Sequence, residues 1–386
     1  MDSYSCQFLP LLRCPISGSL LKSVDQGEVD ELNDRIRQKE VQHADGSEVR
    51  NLLTEALVSE DDQFVYPIID HQIMVLLEPL AILNRDVNRR HSVLDAQKKS
   101  VLDFYNEFGW KKDDDRQFKD TVTFEDRREV AAGYWSKCHL RLNKYLPGGQ
   151  YILDVASGAI PNEEYLTYSN HYQLRICMDF SLLAMQEAVQ RLNGKGIFIL
   201  GDMTNIPLAD HCLDSVISLH TVYHVPKAEQ TQAVSQAYRV LKPAGRAVIV
   251  YSWNKPPLMY WTMTGWRTLL RWLRKKKKPV DHSKTKPETS HPDLFTHQQG
   301  YAWFAHQLRK PFNAQLRVYS TISRSFSNTF IREKAFGKFI TKCIYQLENL
   351  FPHLLGRWGQ YPVFILNKPI ATASRTSPTQ SPKIPK

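Results

Sequence analysis

Apolar and polar positions change rhythm several times along the chain, and each change marks a boundary. Over residues 1–80, short apolar runs at Phe8–Leu12, Leu52–Val58 and Ile73–Leu77 alternate with polar, turn-forming stretches, which predicts a small β-rich module. The polar stretch Lys22–Arg50 fits a helix or long loop inserted into it. Residues 81–135 turn helical and charged, as in Ser100–Phe108, and are expected to form a connector that also caps the next domain. Pro147-Gly148-Gly149 is a turn signal, and beyond it strand-length apolar runs alternate with amphipathic helical segments. Strands are predicted at Tyr151–Ala156, Leu174–Asp179, Gly196–Leu200, Leu213–Leu219 and Arg246–Tyr251, with helices around Leu182–Leu192 and Lys227–Leu241. The rhythm breaks over an insertion at 253–314, resumes with a strand at Gln315–Thr321 and a helical stretch at Ile331–Leu350, and closes with a strand at Tyr361–Asn367. This order predicts an α/β domain over 136–367, a doubly wound, mostly parallel, seven-stranded Rossmann-like sheet with right-handed crossovers. Residues 368–386, rich in Ser, Thr, Pro and Lys, cannot bury enough apolar surface to offset ordering and are expected to be a disordered tail.

Composition narrows the class. The chain has 386 residues, 42% hydrophobic and 23% charged, which excludes wholesale disorder, collagen and coiled coil. No uncharged apolar run reaches the length of a membrane span, and Met1–Gly18 lacks the pattern of a secretory signal. The six cysteines are scattered, so reduced thiols and a cytoplasmic setting are expected. The formal charge of +10 suggests a nucleic-acid or membrane partner, but its distribution qualifies that. Eleven Lys/Arg face only Asp281, Glu288 and Asp293 between Arg267 and Lys310, and the tail adds four cations and no acid, leaving the remainder near neutral. A nucleic-acid enzyme would spread charge over its catalytic face, so no nucleic-acid partner is expected.

Candidate chemistry lies at the ends of the predicted strands. Ile152-Leu153-Asp154-Val155-Ala156-Ser157-Gly158 is an apolar strand with an acid and a small-residue turn, suited to close ligand approach in an open α/β sheet. Asp179 lies 21 positions after Gly158, where an acid can accept from ribose hydroxyls. Asp202-Met203 follows the third strand, and His220-Thr221-Val222-Tyr223-His224 follows the fourth. A single acid could be a helix cap, as Asp179 before Ser181 illustrates, but four such strand ends in succession are hard to read as capping alone.

With Ala237–Gly245, these segments resemble the class I S-adenosylmethionine-dependent methyltransferases, specifically the small-molecule branch related to quinone and sterol methyltransferases. The resemblance covers residues 134–252 and the closing strand, and implies S-adenosyl-L-methionine as cofactor and methyl transfer as activity. By position, Asp154, Ala156 and Gly158 would face the methionine portion, Asp179 the ribose, Phe180 the adenine, and Asp202 with Met203 its edge and face. Tyr134 and Trp135 could wall the sulfonium by cation–π contact, and His220 could touch the cofactor or pack under a lid. The family's turn usually holds three glycines, and here Ala156 and Ile160 replace the first and third.

Methyl transfer relies on positioning and needs a base only when the acceptor must lose a proton, so His224, His220 and Tyr223 are the catalytic candidates. Leu11–Leu20 and Phe64–Asp70 resemble the zinc-ribbon-derived module that accompanies many methyltransferases. Ser17 stands where a second cysteine would be, so no zinc is expected. In the insertion, Met259, Met263, Trp266, Leu270 and Leu273 follow helical spacing beside Arg267, Arg271, Arg274 and Lys275–Lys278, which fits either a lid or an amphipathic helix at an anionic membrane through 259–278. The leading expectation is methyl transfer to a small acceptor, lipophilic or aromatic in kind. An rRNA or tRNA methyltransferase and a non-catalytic cofactor-binding relic of the fold stay open as alternatives.

Overall fold

The structure is a computed structural model that describes residues 7–84, 93–114, 117–274, 294–332 and 335–370. Its centre is the expected sheet: β6 (Gly149–Val155), β7 (Tyr172–Asp179), β8 (Ile197–Leu200), β9 (Leu213–Leu219), β10 (Leu241–Val250), β11 (Ala314–Ser320) and β12 (Tyr361–Asn367). They lie in the order β8-β7-β6-β9-β10-β12-β11, parallel from β8 to β10, with β12 antiparallel to both its neighbours. Both faces are covered, which explains the continuous apolar runs of these strands. Leu153, Ile176 and Val216 pack on one side, and Ile152, Cys177 and Ile217 on the other.

The sheet does not stop at seven strands. Residues 7–84 supply β1 (Leu21–Ser23), β2 (Glu55–Ser59), β3 (Phe64–Ile69), β4 (Ile73–Val75) and β5 (Ile82–Leu83), and β4 pairs in parallel with β8 through Met74 and Ile199, giving twelve strands in all. The β-rich module is therefore continuous with the larger sheet. Phe8 and Leu12 lie in the same apolar core as Leu153 and Val155, and Leu12 bridges to Leu208. Helix α1 (Gln26–Arg37) fills the polar stretch between β1 and β2, its start fixed by a reciprocal capping box of Asp25 and Glu28.

Helices α2 (Ala96–Phe104) and α3 (Lys119–Phe124) contribute to the carboxyl edge of the sheet, and α4 (Glu129–Leu140) leads into β6. Helices α5 (Leu182–Arg191) and α6 (Gln230–Arg239) are slightly shorter than predicted. Strand β10 starts at Leu241, earlier than predicted, and its pairing to β9 shifts register before Arg246, where Ala244 takes a positive φ of 66°. The insertion contains α7 (Pro257–Arg274). Lys275–Lys278 and the rest of 275–293 lie outside the described residues, as do 371–386 of the expected tail. The predicted stretch Ile331–Leu350 begins as helix at Ala335, after α8 (Arg324–Phe330), and runs as α9 (Ala335–Leu350) into α10 (Pro352–Trp358).

A buried polar knot fixes α9 to this framework. Glu348 is fully buried and accepts from Arg141 Nη2 at 2.8 Å, Tyr134 OH at 2.6 Å and the Thr321 backbone N–H at 2.7 Å. Arg141 also donates to the Tyr319 carbonyl at 2.7 Å. Removing one partner strands a buried charge, which costs far more than the pair contributes. Glu348→Ala is expected to destabilise the protein by about 3–5 kcal/mol in urea unfolding, and Glu348→Gln by clearly less, because the amide oxygen keeps an acceptor.

A candidate active site at the carboxyl edge of the sheet

The turn after β6 carries the backbone that glycines usually provide. Ala156, Gly158 and Ile160 all adopt left-handed φ, 54°, 55° and 52°. For the two residues with side chains this costs about 1–2 kcal/mol each, most conspicuously for β-branched Ile160. Burial of the Ile160 side chain beside Tyr165, Tyr168 and Met185 offsets the strain. With Pro161 next, the helix after the turn is only Glu163–Leu166.

Beside this turn, Asp179 accepts from the Gly158 and Ser181 backbone N–H groups, both at 2.9 Å. Burial pushes its pKa up to about 6, with those donors acting against the rise. Trp110 covers Gly158 closely enough that a Cβ there would collide with the indole, and it stacks on Tyr105 with centroids 5.0 Å apart. Its Nε1 is buried without a hydrogen-bond partner, an unspent donor at the turn.

These residues border a cavity of about 470 Å³, within the usual range for small-molecule sites. Met203 follows β8, Asp179 ends β7 and Phe180 follows it, Ala156 and Ser157 follow β6, and His220, Tyr223 and His224 follow β9. Tyr319 of β11 and Tyr361 of β12 continue the wall at the same edge. Apolar flanks for an adenine ring and a ribose-binding carboxylate are thus present, so S-adenosylmethionine fits the residues at this end.

Three expected contacts are placed differently. Asp202 does not line this cavity: its Oδ2 takes Lys98 Nζ at 2.8 Å, and Lys98, on α2, also binds Glu229 and Thr204. Burial would lower the Lys98 pKa, but Asp202 and Glu229 win and raise it, so the cation holds Asp202 toward a second hollow. Asp154 borders the cavity but is ion-paired with Arg175, both side chains buried. Tyr134 belongs to the Glu348 knot, and Trp135, about 100° further round α4, is the one that reaches the cavity.

His220 and His224 share the cavity through a short 3₁₀ turn, Val222–His224. His220 has φ 58° and meets the edges of Tyr319 and Tyr361 at 5.0 Å each. Burial, helped by His139 and His224, drops its pKa to about 3. His224 falls to about 4 through burial, although Nδ1 lies 2.8 Å from the Phe295 carbonyl. That carbonyl can only accept, so Nδ1 carries the proton and the ring is neutral at pH 7.

Sequence reasoning missed Asp120, Tyr105 and Trp110. Asp120 lines the cavity from α3, and burial together with Glu125 raises its pKa to about 7. Tyr105 and Tyr223 lie near enough to feel its charge. Its one sequence sign is an acid between Phe118 and Phe124 in a six-residue helix, too short to show periodicity.

A profile of the methyltransferase domain family matches residues 153–249. The chain is 31% identical over 150 residues to a demethylmenaquinone methyltransferase of Paenarthrobacter aurescens (strain TC1), covering 39% of this chain and 53% of that protein. It is 25% identical over 180 residues to a sterol 24-C-methyltransferase of Schizosaccharomyces pombe, covering 44% of each. The chain thus spans about half the length of the curated relatives it matches. A solved structure of magnesium protoporphyrin IX methyltransferase from Synechocystis PCC 6803 with bound SAM superposes with a TM-score of 0.32 and 16% identity, over 43% of this chain and 80% of that one.

Asp120 gives a pH signature of stability. Its folded pKa lies above the ordinary 3.8, so the folded state binds the proton more tightly and stability is lost as pH rises from about 4 to about 7. Asp120→Asn removes that loss. The variant is expected to match the wild type near pH 4 and to exceed it by on the order of 2 kcal/mol at pH 8, read from thermal unfolding across that range.

Proposed function

We propose that this chain, whose residues 153–249 match the methyltransferase domain family, is a class I S-adenosylmethionine-dependent methyltransferase that transfers a methyl group to a small lipophilic or aromatic acceptor. The observation that carries this reading is one cavity bordered both by Asp179, Phe180 and Met203 and by the aromatic wall of Tyr105, Tyr223, Tyr319 and Tyr361. The bound cofactor supplies an electrophilic methyl group on a sulfonium. Asp179 holds the ribose hydroxyls, Phe180 and Met203 flank the adenine, and the Trp110 Nε1–H is a donor available to the methionine end. The tyrosines and neutral histidines exclude water and orient a flat acceptor, which is where displacement on a sulfonium gains most.

Where the acceptor must lose a proton, Asp120 is the base whose strength suits neutral pH, and His224 and His220, weakened by burial, orient rather than deprotonate. The names of the quinone and sterol relatives favour an acceptor of this kind. Apart from Lys98, the charged side chains lining the cavity are Asp120, Glu125, Asp154 and Asp179, an acidic set that disfavours a phosphate backbone.

Calorimetry is the direct test. S-adenosylmethionine should bind at pH 7.5, Asp179→Asn should weaken binding about tenfold, and wild-type affinity should fall below pH 6 as the carboxylate protonates. S-adenosylhomocysteine release in a screen of phenolic, enolic and quinol acceptors then identifies the substrate. No binding at pH 7.5 would make the protein a non-catalytic relic of the fold.

A further inference from the structure

Two helices turn apolar side chains outward. On α9, Phe336, Phe339, Leu347 and Leu350 follow one another at helical spacing on one face, and they are 70%, 60%, 49% and 70% exposed. The inward face holds Gly337, Ile340, Ile344 and the buried Glu348, so the helix is apolar on its core side and on its outward side as well. On α7, Met259 is buried as its spacing predicts, but Trp261, Leu269 and Trp272 form a second stripe, 65%, 44% and 58% exposed. Phe351 and Leu354 continue the exposed apolar surface past the end of α9.

Helix α7 lies next to the cavity wall. Trp266 of α7 meets Phe330 of α8 with centroids 5.4 Å apart, and Ser325 of α8 lines the cavity. We infer that α7, α9 and the start of α10 form a docking surface for an anionic membrane interface, set beside the cavity.

Charge selects this occupant over an apolar protein groove. The sequence of α7 contains Arg267, Arg271 and Arg274 and no acid. That of α9 contains Lys338 and Lys342, and its one acid, Glu348, is fully buried. Of these cations Lys338 pairs with the exposed Glu129 of α4 at 2.5 Å, which leaves Lys342 and the arginines in the α7 sequence as the positive excess. Exposed tryptophan and phenylalanine on helices of net positive sequence are what an interface of acyl chains and anionic headgroups accepts. Among the described residues no helix is long and apolar enough to cross a membrane, so the contact is peripheral. A cavity beside such a surface would receive a lipophilic molecule without its crossing water.

Vesicle co-sedimentation without cofactor tests this independently of methyl transfer. Full-length protein should bind vesicles of phosphatidylcholine mixed with phosphatidylglycerol at least about tenfold more strongly than phosphatidylcholine alone. Trp261→Ser with Leu269→Ser, and separately Phe336→Ser with Phe339→Ser, should each lower that binding about tenfold while shifting thermal unfolding little, since the replaced side chains are exposed. Equal binding to both vesicle types, or unchanged binding by both double variants, overturns the proposal. So does a concentration-dependent dimer in sedimentation velocity that both variants abolish, because a second copy would then own the surface. Loss of methyl transfer with vesicle binding intact would instead strike only the catalytic reading.

Discussion

The site depends on a backbone constraint at the carboxyl ends of the two central strands. Ala156, Gly158 and Ile160 after β6, and His220 after β9, are all held in the left-handed region, and three of the four have side chains that resist it. Together they cost several kcal/mol, so the surrounding packing must over-determine them. It does: Ile160 is buried in the core, His220 is gripped between Tyr319 and Tyr361, and the Gly158 amide is tied to Asp179. The turn keeps the shape of a three-glycine loop with one glycine, because the close approach of Trp110 falls where no side chain fits.

Charge is handled in the same over-determined way. Asp154, Asp202 and Glu348 are each matched with one buried or half-buried cation, respectively Arg175, Lys98 and Arg141. Among the described residues Asp179 and Asp120 have no such partner, and burial raises both pKa values toward neutrality. Pairing thus separates the acids that support the framework from those left to meet a ligand.

The central sheet was legible because the strands β6 to β9 are buried on both faces toward their carboxyl ends, and a near-continuous apolar run ending in a turn reads clearly even in one sequence. Asp179, Phe180, Met203 and the histidines were legible for a related reason: residues just past a parallel strand must lie at one edge. The partners of Asp154 and Asp202 were not, since Arg175 faces Asp154 only through strand pairing and Lys98 reaches Asp202 across 104 residues. Nor was the outward stripe of α9, because periodicity reveals an apolar face without saying which way it points. The continuity of the β-rich module with the main sheet was hidden likewise, resting on three residue pairs between β4 and β8.

That short pairing has a consequence for solubility. In an open parallel sheet the outermost strand leaves a row of backbone donors and acceptors ready to template another chain. Strand β8 would be that strand, with Ile197, Phe198 and Ile199 all buried behind it. By laying β4 along it and then leading outward through the antiparallel β3, β2 and β1, the first eighty residues act as a built-in edge guard. They move the unpaired edge to β1, three residues long with a lysine in the middle, the kind of edge that discourages self-association.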